Sequence, residues 1–173
     1  TGNSPLLAAV GSIGTVNADG KFQFLCTASL IGPTTVLTAK HCVQTSSGLL
    51  FAQTKTFFAV GNSLTPSRLV QIVAGTLASV NEGGFYAVGS DIAALNLVES
   101  ITDVAPLAIG ERSLGADDVG RRFLTAGFGA ASEAELNGGA APNGERSAGT
   151  LEARASSGKS FELLFGSYEA FKQ

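Results

Sequence analysis

The chain has 173 residues, of which 45% are apolar, and this is enough apolar material to fill the core of one domain or two small ones. Charged residues make up only 14% of the sequence and the net charge is −3, which argues against a basic surface for nucleic-acid phosphates. No apolar run approaches the roughly 20 residues that a membrane-spanning helix requires, so we expect neither a nucleic-acid partner nor a membrane segment.

Short apolar segments rich in Val, Ile, Leu, Thr and Phe follow one another along the chain, and Gly, Pro, Asn and Ser separate them. This pattern predicts an all-β protein. The Asn-Ala-Asp-Gly run at 17–20 predicts a hairpin turn between the first two strands, because an Asp-Gly pair favours positive φ. Further along, residues 131–149 are dense in Gly, Ala, Asn and Glu and predict an exposed, mobile loop. The predicted strands are residues 6–16, 22–30, 35–38, 51–60, 69–77, 92–97, 123–126 and 161–165.

The chain contains one histidine and two cysteines. Cys26 begins the run Cys-Thr-Ala-Ser-Leu-Ile, and a later run, Val-Leu-Thr-Ala-Lys-His-Cys, ends in His41 and Cys42. After a further interval, Asp91 begins the run Asp-Ile-Ala-Ala-Leu. In this order, the two segments resemble the histidine and aspartate segments of the chymotrypsin-like (trypsin-fold) serine proteases. The run Leu-Thr-Ala-Gly-Phe-Gly at 124–129 resembles the same family's glycine-aromatic-glycine turn, with Phe where Trp is commoner.

The resemblance, which covers roughly residues 5–165, implies an all-β fold of two Greek-key β-barrels of the chymotrypsin type. Six of the predicted strands precede Glu99, enough for the family's six-stranded first barrel, and only two or three follow it. We therefore predict a complete first barrel in residues 1–104 and a crossing between barrels in residues 105–120. Residues 121–173 are expected to form an incomplete portion of the second barrel.

The resemblance also implies roles for individual residues. His41 is predicted to be the general base of peptide hydrolysis, since an imidazole with its ordinary pKa near 6.5 takes up a proton close to neutral pH. Asp91 is predicted to orient the ring and to stabilise the imidazolium. Thr38 and the backbone amides of Lys40 and His41 are expected to support this pair.

Cys26 and Cys42 stand at the spacing of a disulfide that flanks the histidine segment in the family, so we expect them to be bonded. A disulfide indicates an oxidising compartment, and the protein is expected to be secreted or periplasmic. Two cysteines and one histidine are too few for a zinc cage. No metal or other cofactor is predicted.

The nucleophile of the family lies in a Gly-Asp-Ser-Gly-Gly segment, and this sequence contains no such run. Ser160 stands in Gly-Lys-Ser-Phe and lacks the flanking glycines of a turn that presents backbone amides. We therefore expect the larger chain of a cleaved serine endopeptidase that acts on proteins or peptides, with the serine and the substrate pocket on a companion polypeptide. The alternative is a catalytically inactive homologue that serves as a binding or inhibitory module.

Three further aspartates and two glycine-containing runs are interpreted as structural features. Asp103, Asp117 and Asp118 lie near turn residues and are expected to be solvated, although any of them could orient the histidine. Residues 153–160 fit a loose phosphate-loop pattern, but a strand-like run follows where that motif requires a helix. The Gly-Phe-Gly run at 127–129 begins like a dinucleotide fingerprint, yet no βαβ unit surrounds it.

Overall fold

The computed structural model describes residues 7–45, 48–77, 91–112, 115–130, 137–138, 144–156 and 161–164. Within these ranges the regular secondary structure is almost entirely β-strand, which confirms the predicted class. No helix in the described part is long and apolar enough to cross a membrane. The strands are β1 (Val10–Val16), β2 (Phe22–Gly32), β3 (Thr35–Thr38), β4 (Gln44–Thr45), β5 (Gly48–Leu49), β6 (Thr56–Gly61), β7 (Pro66–Leu77), β8 (Ala93–Leu97), β9 (Arg122–Gly127), β10 (Ser147–Ser156) and β11 (Phe161–Leu164).

A closed barrel forms from six strands in the order β1-β2-β3-β8-β7-β6. Every neighbouring pair in it is antiparallel. The predicted hairpin joins β1 to β2, where Gly20 has a φ of +77°. The side chain of Asn17 completes this turn, because its Oδ1 accepts hydrogen bonds from the backbone amides of Asp19 at 3.0 Å and Lys21 at 2.9 Å. Full closure leaves no strand edge exposed in this barrel.

Alternating apolar residues of the barrel strands fill its interior. Val36 on β3 lies directly opposite Leu95 on β8, and both are fully buried. The ring of Phe58 on β6 packs against the neighbouring strand β1, where a Cβ on Gly11 would lie 2.5 Å from it. A larger residue at this position would therefore displace the largest side chain of the core. The fully or almost fully buried cluster consists of Ala9, Ile13, Ala28, Leu30, Val36, Val43, Phe58, Val70, Ile72, Ala93, Leu95, Leu97 and Ile101.

Two of the predicted elements need correction. Residues 51–60 were predicted as one strand, but Leu50–Gln53 forms a helical turn (α1) and β6 begins only at Thr56. The predicted loop at 131–149 lies mostly outside the described residues, and its end is wrong because β10 begins at Ser147. The strand predicted at 161–165 is present as β11, with residue 165 outside the described part.

A three-stranded sheet in the order β11-β10-β9 packs against the barrel, as expected for an incomplete second barrel. Arg146 makes one of the contacts, because its Nε donates a 2.7 Å hydrogen bond to the carbonyl oxygen of Val10 on β1. In a second contact, the backbone amide of Ser63 donates to the carbonyl oxygen of Gly144 at 2.7 Å. The barrel therefore fixes the segment that enters β10.

The three acidic residues that were expected to be solvated differ in their surroundings. Asp103 is exposed and pairs with Arg68 at 3.2 Å on the barrel surface, and Asp117 is exposed as well. Asp118 is 1% exposed, so the expectation was wrong for this residue.

The carboxylate of Asp118 is the acceptor in a compact polar cluster. Arg112 donates from both terminal nitrogens, Arg121 donates at 2.8 Å, and the backbone amide of Gly115 donates at 3.0 Å. The hydrogen bonds from Arg112 and Gly115 hold the pKa of Asp118 well below its usual range, against the opposing effect of burial. The cluster connects the crossing segment to the start of β9. Because these donors occupy the carboxylate of Asp118, this residue does not orient the histidine.

Because the pKa of Asp118 is lower in the folded chain than the ordinary value of about 3.9, its ionised form stabilises the fold above about pH 4, and this contribution is lost as the pH falls further. We expect Asp118→Asn to lower the thermal midpoint at pH 7 and to reduce the loss of stability between pH 4 and pH 2. Thermal unfolding followed by circular dichroism across this range measures both effects. The exposed neighbour Asp117→Asn is the matched control, and equal midpoints for the two variants at pH 7 would contradict the assignment.

Candidate functional site

The histidine lies on a short turn that directly follows β3. Thr38 ends the strand, Ala39 remains extended, and Lys40–Cys42 forms a single 3-10 turn. The predicted disulfide is confirmed, because Cys42 is bonded to Cys26 on β2 with 6.0 Å between their Cα atoms. The end of the turn is therefore covalently attached to a central strand of the barrel.

The pairing of β3 with β8 brings the aspartate to the same place. In this antiparallel ladder Thr38 lies opposite Ala93 and Thr35 lies opposite Asn96. Continued by two residues, the same register sets Asp91 opposite Lys40. Residues fifty positions apart in the sequence are thus brought together at one rim of the barrel by the hydrogen bonds of two adjacent strands.

His41 and Asp91 form a hydrogen-bonded pair through both of the carboxylate oxygens. The distance from His41 Nδ1 to Asp91 Oδ2 is 2.7 Å, and the backbone amide of His41 donates to Asp91 Oδ1 at 2.9 Å. The side chains of His41 and Asp91 are 35% and 23% exposed, respectively, so the pair lies at the surface of the described structure.

The same contacts determine the protonation of the pair. Partial burial works against the ionised carboxylate, but hydrogen bonds from the amide and ring of His41 and from the amide of Lys40 outweigh it and lower the pKa of Asp91. An ionised carboxylate can only accept a hydrogen bond, so Nδ1 of the neutral ring carries the proton. Nε2 then holds the lone pair, and this nitrogen is the one that can take up a proton.

Of the supporting groups expected from the sequence, the amides of Lys40 and His41 contact Asp91 directly. Thr38 is 8% exposed, and its hydroxyl donates a 2.9 Å hydrogen bond to the carbonyl oxygen of Thr27 on β2. This bond joins β2 to β3 directly before the histidine turn. Thr27 was not singled out in the sequence, because nothing local distinguishes it from other strand threonines.

The sulfur atoms of Cys26 and Cys42 and one ring nitrogen of His41 lie within 4.8 Å of one another. The two sulfurs are bonded to each other, and a metal ligand must be a thiolate. This cluster is therefore not a metal site in the oxidised protein.

The two nucleotide-like patterns have no support in the fold. The Gly-Phe-Gly run closes β9 in a bend, and residues 153–160 are followed by the strand β11. A phosphate loop requires a helix at that point. Ser160 lies outside the described residues.

The chain is similar to a known protein family in sequence and to a solved structure in fold. The family model described as Trypsin matches residues 2–155. Among solved structures, kallikrein-related peptidase 10 in complex with Zn²⁺ is similar with a TM-score of 0.58 and 17% sequence identity, over 89% of this chain and 59% of that one. At this identity the structural match shows the fold alone. No curated protein sequence matches the chain.

Proposed function

This chain belongs to the trypsin family, and from that premise we propose that it carries the general base and the orienting carboxylate of a serine endopeptidase. The observation that carries the proposal is the 2.7 Å contact between His41 Nδ1 and Asp91 Oδ2. The disulfide holds the turn that carries the His41 ring, and the β3–β8 ladder places the Asp91 carboxylate beside it. Their relative position is therefore fixed before any substrate binds.

In the proposed reaction, His41 Nε2 takes the proton of a serine hydroxyl while the serine oxygen attacks the carbonyl carbon of a peptide bond. Asp91 remains ionised and stabilises the imidazolium that forms. The imidazolium then gives its proton to the leaving amine, and water hydrolyses the resulting acyl-enzyme with His41 acting as the base again. The substrate class is therefore proteins or peptides.

The serine is proposed to be supplied by a segment outside these 173 residues, since the sequence lacks the family's Gly-Asp-Ser-Gly-Gly run. A companion polypeptide that remains bound beside the β9–β11 sheet is the arrangement that we propose. The disulfide between Cys26 and Cys42 supports secretion or export to the periplasm, because reduced thiols are the rule in the cytosol.

A fluorophosphonate probe tests this proposal, because it reacts with a serine only when a general base activates it. The native protein is treated with the probe without reduction, and the polypeptides are then separated and analysed by mass spectrometry. We expect a labelled companion, an unlabelled chain of residues 1–173, and no labelling at all in a His41→Ala preparation. A companion that copurifies but stays unlabelled in the wild type would favour the non-catalytic binding or inhibitory module instead.

A further inference from the structure

Thr27 on β2 makes hydrogen bonds both to the second sheet and to the end of β3, directly before the histidine turn. Its hydroxyl oxygen accepts a 3.0 Å hydrogen bond from the backbone amide of Phe128, which lies 101 residues later. Its carbonyl oxygen accepts the hydroxyl of Thr38 at 2.9 Å. Its neighbour Cys26 is bonded to Cys42, which directly follows His41.

The contact with Phe128 is part of a close-packed junction between the two sheets. Phe128 is 5% exposed, its ring lies 6.3 Å from that of Phe24, and the guanidinium of Arg146 lies 5.6 Å above it. At Gly127 a Cβ atom would come within 3.0 Å of the Thr27 hydroxyl. The end of β9 and the bend that follows it therefore lie close against the side chain of Thr27, with little room for a larger residue at Gly127.

Thr27 is connected to the His41–Asp91 pair through its hydrogen bond with Thr38. Thr38 is the last residue of β3 and stands three positions before His41, and its partner across the ladder, Ala93, stands two positions after Asp91. We therefore expect a shift of Thr27 relative to Thr38 to move the end of β3, which precedes His41, and the start of β8, which follows Asp91. The bend after β9 is connected to this point through the hydroxyl and the carbonyl oxygen of Thr27 and the hydroxyl of Thr38.

We propose that Thr27 is a positioning residue that fixes the second sheet relative to the His41–Asp91 pair. The inference rests on the proposed function, in which the serine belongs to the second barrel and the base to the first. In that arrangement the distance between serine and base depends on the separation of the barrels, and the Thr27–Phe128 hydrogen bond is one of the contacts that set it. A displacement of about 1 Å at a reacting group can cost roughly a hundredfold in rate.

The first test needs no activity. Because His41 is the single histidine of the chain, its Nδ1 proton is resolved without ambiguity by ¹⁵N-edited NMR of the 173-residue protein. Thr27→Val replaces the hydroxyl by a methyl group of similar volume and removes the hydrogen bond to Phe128. We expect the Nδ1 proton to exchange with water faster, by up to about tenfold if the full free energy of that bond is transmitted to the pair. Thr27→Ser keeps the hydroxyl, and we expect the wild-type exchange rate.

Thr56→Val is the matched control, because Thr56 is buried in the same barrel and its hydroxyl donates to the carbonyl oxygen of Thr54. We expect this variant to lose stability and to keep the wild-type exchange rate at Nδ1. An unchanged rate in Thr27→Val together with reduced stability would overturn the proposal, since Thr27 would then be structural only. If Thr27→Val does not fold, Gly127→Ala displaces the same hydroxyl from the other side and is expected to accelerate the exchange as well.

The second test uses the assembled protease. We expect Thr27→Val to lower kcat about tenfold or more, with KM changed less than about twofold, and Thr27→Ser to restore kcat. A fall in activity that Thr27→Ser does not restore would contradict the role of the hydroxyl. If His41→Ala retained full activity, the proposed function would fail, whereas the NMR comparison on the chain alone would still decide the role of Thr27.

Discussion

Asp91→Asn is expected to lower kcat of the assembled protease by about 10⁴, the size known for this substitution in chymotrypsin-like enzymes. An asparagine can present its amide NH₂ to Nδ1 of His41, and Nδ1 must then accept a hydrogen bond. The ring proton moves to Nε2, and the nitrogen that should take the serine proton no longer has a lone pair. Ester and peptide hydrolysis under substrate saturation measures the effect.

His41→Ala is expected to be at least as damaging, and the double variant should be no slower than His41→Ala alone, because the two residues act as a unit. Asp103→Asn is the control, since Asp103 is an exposed acid paired with Arg68 on another part of the barrel. We expect it to retain wild-type kcat. Wild-type rates for both Asp91→Asn and His41→Ala would show that the pair does not carry the reaction.

The lowered pKa of Asp91 extends the pH range over which its carboxylate is ionised beside His41. Hydrogen bonds from the turn outweigh the effect of burial and lower this pKa, so Asp91 stays ionised down to below its ordinary range. If the proposed reaction takes place, we expect that protonation of this carboxylate does not limit it at mildly acidic pH. In Asp91→Asn the same backbone amides lose a charged acceptor, which removes part of what holds the turn in place.

The parts of the fold that could be predicted are those with strong local signals. The strand at 35–38 has the predicted bounds in the structure, because its apolar residues lie between a Gly-Pro-Thr turn and the histidine segment. Gly20 allowed the hairpin to be predicted, since its positive φ is costly for other residues. Cys26, Cys42, His41 and Asp91 were identified through segments of fixed order and spacing, and the structure brings all four together.

The parts that were missed depend on contacts between distant residues or on weak local patterns. The run Leu50–Gln53 has the apolar content of a strand, yet it forms a helical turn directly after β5. The strand β10 is built largely from Ser, Ala, Gly and Thr, which resembles the composition of a loop. Asp118 is buried in a cluster that brings Arg112 and Arg121 to its carboxylate, and no local pattern of the sequence indicates these contacts. Thr27 could not be predicted, because its partner Phe128 comes from the other sheet.

Removal of the disulfide is expected to have the largest effect on stability. The bond closes a loop with a sequence separation of 16, and a loop of about 15 residues is worth roughly 3 kcal/mol in the chain-entropy model. Replacing Cys26 and Cys42 together by Ala avoids leaving a lone thiol. We expect the free energy of unfolding, measured by urea denaturation, to fall by about this amount. A loss below about 0.5 kcal/mol would contradict this contribution of the closed loop.

The double variant also distinguishes the contributions of the two contacts that hold the histidine turn, the disulfide and the Asp91 carboxylate. Cys42 holds one end of the turn to β2, whereas Asp91 holds the amides of Lys40 and His41 at its beginning. If the carboxylate is the principal anchor of the ring, the Nδ1 proton of His41 will remain protected in the folded double variant, and kcat will fall much less than in Asp91→Asn. If protection is lost together with stability, the disulfide is what holds the base in position, and the activity of the protease depends directly on an oxidising environment.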